Sequence, residues 1–133
     1  MSYIGIPFLD RGRDKAGCDC WGLVRLVFAD RGVDLPTYGE IGAKEVLAVA
    51  RAMQADSIVE PWLEATKPYR KLDVVVMKRL SEIGRAPVHV GVLIDAKRML
   101  HTTKDVGSAH IVPLNSPALP FRVFGVYRHK ELA

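Results

Sequence analysis

Residues 16–28 read AGCDCWGLVRLVF. Leu23, Val24, Val27 and Phe28 recur at helical spacing and predict an amphipathic helix over residues 19–31. Asp19 is placed to cap its first turn, and Gly32 to end it. The following VDLP (33–36) is a turn signal, because Pro36 disfavours helix at Leu35. Cys20 therefore sits at a helix N-terminus, where unpaired amides and the helix dipole favour a thiolate. The charge of Asp19 works against this, so a histidine partner matters.

Cys18 and Cys20 are the chain's two cysteines. A bridge between them would close a very small, strained ring, and two cysteines do not make a disulfide scaffold. Zinc sites use two-residue spacers, which C-x-C does not match. No metal site is expected. A cysteine beside an apolar helix is most often buried filler, so the stretch alone leaves filler and nucleophile both open.

Working outward, AKEVLAVARAMQA (43–55) predicts a second helix with Val46, Leu47, Val49, Ala50 and Met53 on its buried side. A loop-like stretch around Pro61 and Pro68 carries Trp62 and Tyr69. From residue 73 the pattern turns β-branched and alternating. Strands are expected at 73–78, 88–94, 98–103, 110–114 and 121–128, with hairpin-length gaps. Helices first and strands second predict an α+β domain with an antiparallel sheet. At 133 residues, one domain over 1–133 is expected.

The composition, 49% hydrophobic and 26% charged, is that of a globular chain, and no apolar run is long enough to enter a bilayer as a helix. The net charge of +4 is dispersed: Arg11, Arg13 and Lys15 alternate with Asp10 and Asp14. There is no basic stripe or aromatic RNA-binding signature, so nucleic acid is not an expected partner. The opening MSYIGIPFLDRGR lacks the sections of a signal peptide, so synthesis in the cytoplasm is expected.

His89 supplies the histidine. It shares a strand face with Gly91 and Leu93, and glycine there leaves room for close approach. His101 follows twelve residues later. An odd-length loop centred on Asp95 would put the two histidines directly opposite, Cβ atoms about 5 Å apart. A thiol, an imidazole and a group orienting that imidazole form the generalised triad. His110 and His129 lack such partners in sequence and read as surface residues.

DCWGLV (19–24), HVGVLI (89–94) and MLHT (99–102) resemble the NlpC-type cell-wall cysteine peptidases of the papain-like superfamily. GIPF (5–8), Gly17, the GVDLP turn (32–36) and KLDVVVM (71–77) fit the same pattern. The D-C-W-G form, with Leu-Pro soon after the helix, resembles the branch found in phage tail proteins and gene-transfer particles. The resemblance implies a papain-like α+β fold, N-terminal helices packed on a C-terminal antiparallel sheet. It implies Cys20 as nucleophile, His89 as general base and acid, and His101 as the group that orients it. It also implies that Asp19 caps the helix and receives a substrate amine. Phe8 stands where many relatives have tyrosine, Trp21 where serine is common, and Leu72 where glycine is usual. Phe8 and Trp21 are thus expected to shape substrate preference.

The implied activity is hydrolysis of peptidoglycan stem peptides, often between D-glutamate and a diamino acid, without metal or organic cofactor. The phage-type resemblance implies tail-tip proteins as partners and delivery to the cell wall by a virion tail. Two alternatives stand beside it: a non-catalytic tail-tip assembly protein that keeps the fold, and a papain-like amidase or acyltransferase acting on another substrate. Cys18 has no catalytic counterpart in the motif and is expected to be structural or incidental.

Overall fold

The computed structural model describes residues 3–36, 42–54, 61–79 and 87–132. Among them, a short ribbon of β1 (Arg13–Asp14) and β2 (Gly17–Cys18) leads into α1 (Cys20–Ala29), followed by α2 (Gly42–Gln54). Six strands follow: β3 (Trp62–Glu64), β4 (Val74–Arg79), β5 (His89–Leu93), β6 (Arg98–His101), β7 (His110–Pro113) and β8 (Phe121–His129). They form one antiparallel sheet in the order β3-β8-β4-β5-β6-β7. The α+β arrangement is the expected one. The expected last residue of α2, position 55, and the side chain of Leu47 lie outside the described residues.

The sheet is covered on both faces. Leu23, Val24, Val27 and Phe28 of α1 and Val46, Val49 and Met53 of α2 pack against Val74, Val76, Val90, Val92 and Leu100. On the opposite face Val75, Met77, Leu93, Met99 and Val126 form a second cluster, closed by Leu119. Double coverage explains why VVVM of β4 is a continuous apolar run, since neither set of alternating side chains meets water. Each such side chain contributes about 1.5–3 kcal/mol on burial.

α1 begins and ends for local reasons. The Asp19 side chain accepts the Gly22 N–H at 2.8 Å. After Ala29, Gly32 adopts a left-handed φ of 78°, and Val33 returns its N–H to the Phe28 carbonyl at 3.0 Å. Gly22, the last letter of D-C-W-G, is needed for approach: a Cβ there would lie 2.2 Å from the Gly12 carbonyl oxygen. Leu72, where glycine is usual, takes φ 74°. That conformation costs a non-glycine residue about 1–2 kcal/mol, which burial of the leucine side chain in the helix-facing core offsets.

Three local expectations are corrected. The stretch at Trp62 is a strand, not a loop: β3 pairs with β8, and Trp62 turns inward against Phe28 and His129, ring centroids 6.0 and 5.1 Å apart. His129 is accordingly buried, not on the surface. The β5–β6 hairpin is centred on Ala96, not Asp95, since Val92 pairs with Leu100 and Leu93 with Met99. The Asp95 side chain opens the turn, accepting the Lys97 and Arg98 N–H groups at 2.9 and 2.8 Å. His89 and His101 therefore lie on one face but two positions out of direct opposition. The space left by Gly91 is filled from β6, because a Cβ there would meet Met99 Sδ at 2.4 Å.

Candidate active site

The C-terminal ends of β4 and β6 and the N-terminal ends of β5 and β8 meet at one end of the sheet, as the antiparallel order requires. The N-terminus of α1 reaches that same end. Between them is a cleft of about 190 Å³ lined by Cys20, His89, Phe8, Arg79, Thr102 and Phe121, among others. The nucleophile and base candidates, about seventy residues apart in the chain, thus share one cleft.

His89 Nε2 lies 2.8 Å from His101 Nδ1. That contact uses the far nitrogen of His89, so Nδ1 is the atom left for the cleft. The offset register is bridged by the imidazole rings, which cross at 69° with centroids 5.0 Å apart. The other side of His89 is held by Phe121, stacked at 4.4 Å and 16°. The Arg79 guanidinium carbon lies 5.7 Å from the Phe121 ring centroid.

Electrostatics keep both rings neutral. Burial first, then repulsion from His101, Arg79 and His110, pushes the His89 pKa down to about 3. Burial, then His110, pushes His101 down to about 4. His89 consequently rests as a neutral imidazole, able to take a proton, rather than as the imidazolium of a preformed ion pair.

Asp19 borders the cleft, but its carboxylate is already engaged. Oδ1 accepts from the Gly22 N–H and from Arg13 Nη1 at 2.5 Å, and Oδ2 from the Arg11 N–H at 3.1 Å. The capping role holds. The carboxylate is buried and paired with Arg13, and three donors leave part of its acceptor capacity facing the cleft it lines. Asp10, exposed on the same wall, is the open carboxylate there. Trp21 is not among the cleft-lining residues: it is 1% exposed, packs in the core and donates Nε1–H to the Pro36 carbonyl at 3.0 Å. Phe8 does line the cleft. Cys18 is fully buried in the core; burial and the Asp19 charge push its thiol up to about 11.

His110 is the residue that sequence reading missed. It is half-buried, and its Nε2 lies 3.1 Å from His101 Nε2. His101 and His110 are direct partners across β6 and β7. The connection between them, residues 102–109, carries no short-turn signature that fixes register, so only an odd clustering of histidines hinted at the contact. Among the described residues, no group of three or more histidine, cysteine or acidic side chains is arranged to hold a metal ion.

The sequence profile of the NlpC/P60 family matches residues 5–128. Among solved structures, a Staphylococcus aureus protein described as similar to lipoprotein, NLP/P60 family, superposes with TM-score 0.63 and 21% identity. The match takes in 96% of this chain and 37% of that one. An NlpC/P60 family protein from Bacillus cereus gives TM-score 0.67 and 19% identity over 98% of this chain and 37% of the other. The NlpC/p60 domain of the peptidoglycan hydrolase SagA gives 0.56 and 19%, covering 91% of this chain and 88% of that domain. The chain thus spans little more than a third of the S. aureus and B. cereus proteins but nearly all of the isolated domain. No protein of curated function matches it.

Proposed function

Because the chain belongs to the NlpC/P60 family, whose members are cysteine peptidases and peptidoglycan hydrolases, we propose that it hydrolyses peptidoglycan stem peptides through Cys20, His89 and His101. The observation that carries this reading is the cleft shared by Cys20 and a neutral His89 whose far nitrogen is fixed on His101.

The chemistry is acyl transfer. His89 Nδ1 takes the Cys20 thiol proton as sulfur attacks the amide carbonyl. The oxyanion forms at the positive end of α1, where backbone amides near Cys20 stabilise it. The imidazolium returns its proton to the leaving amine, giving a thioester. A water deprotonated by His89 hydrolyses the thioester and restores the thiol. His101 holds the ring throughout and offsets the imidazolium as a hydrogen-bond acceptor.

The bond between D-glutamate and a diamino acid is the proposed target. A free substrate amine is received by Asp19, with the exposed Asp10 also lining the cleft as a second carboxylate. The D-C-W-G form further supports a tail-associated protein that a virion carries to the wall, with tail-tip proteins as partners. Defined muropeptides incubated with the native protein and with Cys20→Ala test the hydrolase reading. Cleavage by the native protein alone is expected, and equal turnover by the two would sink it. Acetylating the peptide's amino terminus is expected to raise KM, and unchanged KM would remove both aspartates from the role.

A further inference from the structure

The triad does not end at His101. His101 Nε2 meets His110 Nε2 at 3.1 Å, and His110 Nδ1 lies 3.0 Å from the Ser108 carbonyl oxygen. A carbonyl only accepts, so this last contact fixes a proton on His110 Nδ1. A neutral His110 then has a bare Nε2, which accepts from His101 Nε2–H. His101 in turn has a bare Nδ1, which accepts from His89 Nε2–H. The proton of His89 is thereby held away from the cleft, and Nδ1 is bare where the thiol proton must go. We propose that His110 is a positioning residue which, anchored on the Ser108 carbonyl, sets the tautomer of the whole histidine chain and so keeps His89 competent as a base.

The alternative arrangement shows why an anchor is needed. With its proton on Nδ1, His101 would point a donor at His89 Nε2. His89 would then carry its own proton on Nδ1 and could not accept one from Cys20. An imidazole has no intrinsic reason to avoid that state, and His101 is too buried for water to select between them. Selection comes from outside the pair, through a backbone that does not titrate.

That backbone is itself fixed. Residues 5–8 run as a strap between the nucleophile's segment and the loop before β7. Phe8 N–H donates to the Gly107 carbonyl at 2.8 Å, Ala109 N–H to Ile6 at 2.8 Å, and Gly5 N–H to Ala109 at 2.9 Å. Cys18 N–H donates to the Pro7 carbonyl at 3.0 Å. Ser108 is thus clamped by the segment that also holds the residue two before the nucleophile.

The inference rests on the proposed base role of His89, but its first test needs no substrate. Long-range 15N–1H spectra of imidazole-labelled protein at neutral pH identify which nitrogen of each ring is protonated. The expected pattern is Nε2–H for His89 and His101 and Nδ1–H for His110. A Nδ1–H tautomer at His101 in the native protein overturns the proposal even if peptides are cleaved. His110→Phe keeps the ring's bulk but offers no acceptor. It is expected to move His101 toward Nδ1–H and lower kcat about tenfold, the scale of one hydrogen bond, with KM unchanged. His110→Gln, which retains an acceptor near the Nε2 position, is expected to restore most of both. An unaltered His101 tautomer in a folded His110→Phe protein also overturns it.

Discussion

Acid should destabilise this protein before its carboxylates titrate. His89 and His101 are 4% and 2% exposed and are held neutral, with pKa values near 3 and 4 against an ordinary 6.5. Below pH 6.5 the unfolded chain takes up protons that the folded one refuses, so stability is fully present above that pH and falls as pH drops toward the folded values. At pH 5 the interval from 6.5 is 1.5 pH units, about 2 kcal/mol for each ring and about 4 kcal/mol for the two. His129, whose pKa burial also lowers, adds in the same direction. For a chain of this size 1 kcal/mol moves the melting temperature by about 4 °C, so Tm should drop by about 15 °C between pH 7 and pH 5. Calorimetry across that range measures it. His89→Gln and His101→Asn should each lose roughly half of the pH dependence, judged within each variant so that its own loss of stability cancels. A flat Tm in the native protein, or variants with the full slope, would refute the reasoning.

Iodoacetamide at neutral pH should add one label to the folded protein, mapped by mass spectrometry to Cys20, which lines the cleft; a label on buried Cys18 without unfolding would contradict its assignment to the core. Gly22→Ala should cost about 3 kcal/mol in urea unfolding, since the new Cβ meets a backbone carbonyl that cannot swing aside. Arg128→Ala should cost about 3–5 kcal/mol by the same measurement, because it strips both guanidinium contacts, each 2.8 Å, from the buried Asp73.

What the sequence disclosed followed from periodicity and short-range rules. The α1 stripe, its Asp19 cap and the five strands beyond residue 73 are all set by neighbours within a few positions. The parity of residues 89 and 101 placed both histidines on one face, and this survived even though Asp95 shifted the hairpin centre by one. The errors arose where a longer-range partner decides. Three residues of β3 carry too little alternation to announce a strand, and only pairing with β8 makes them one. Trp21 beside the nucleophile reads as a pocket residue until its indole N–H finds Pro36 across the α1–α2 connection. The pairing of Asp19 is invisible until Arg13 folds back through the β1–β2 ribbon. His110 waits on a register that no turn residue dictates.

β8 follows every other strand in the chain, yet it lies inside the sheet between β3 and β4. It also delivers Phe121, the stacking partner of His89. A nascent chain on the ribosome can therefore form α1 and the β5–β6 hairpin early, but it cannot close the sheet or set Phe121 against His89 until residue 129 has cleared the exit tunnel. Assembly of the proposed site is thus timed by translation itself: a chain stalled before β8 would carry Cys20, His89 and His101 and still lack Phe121 and the closed sheet.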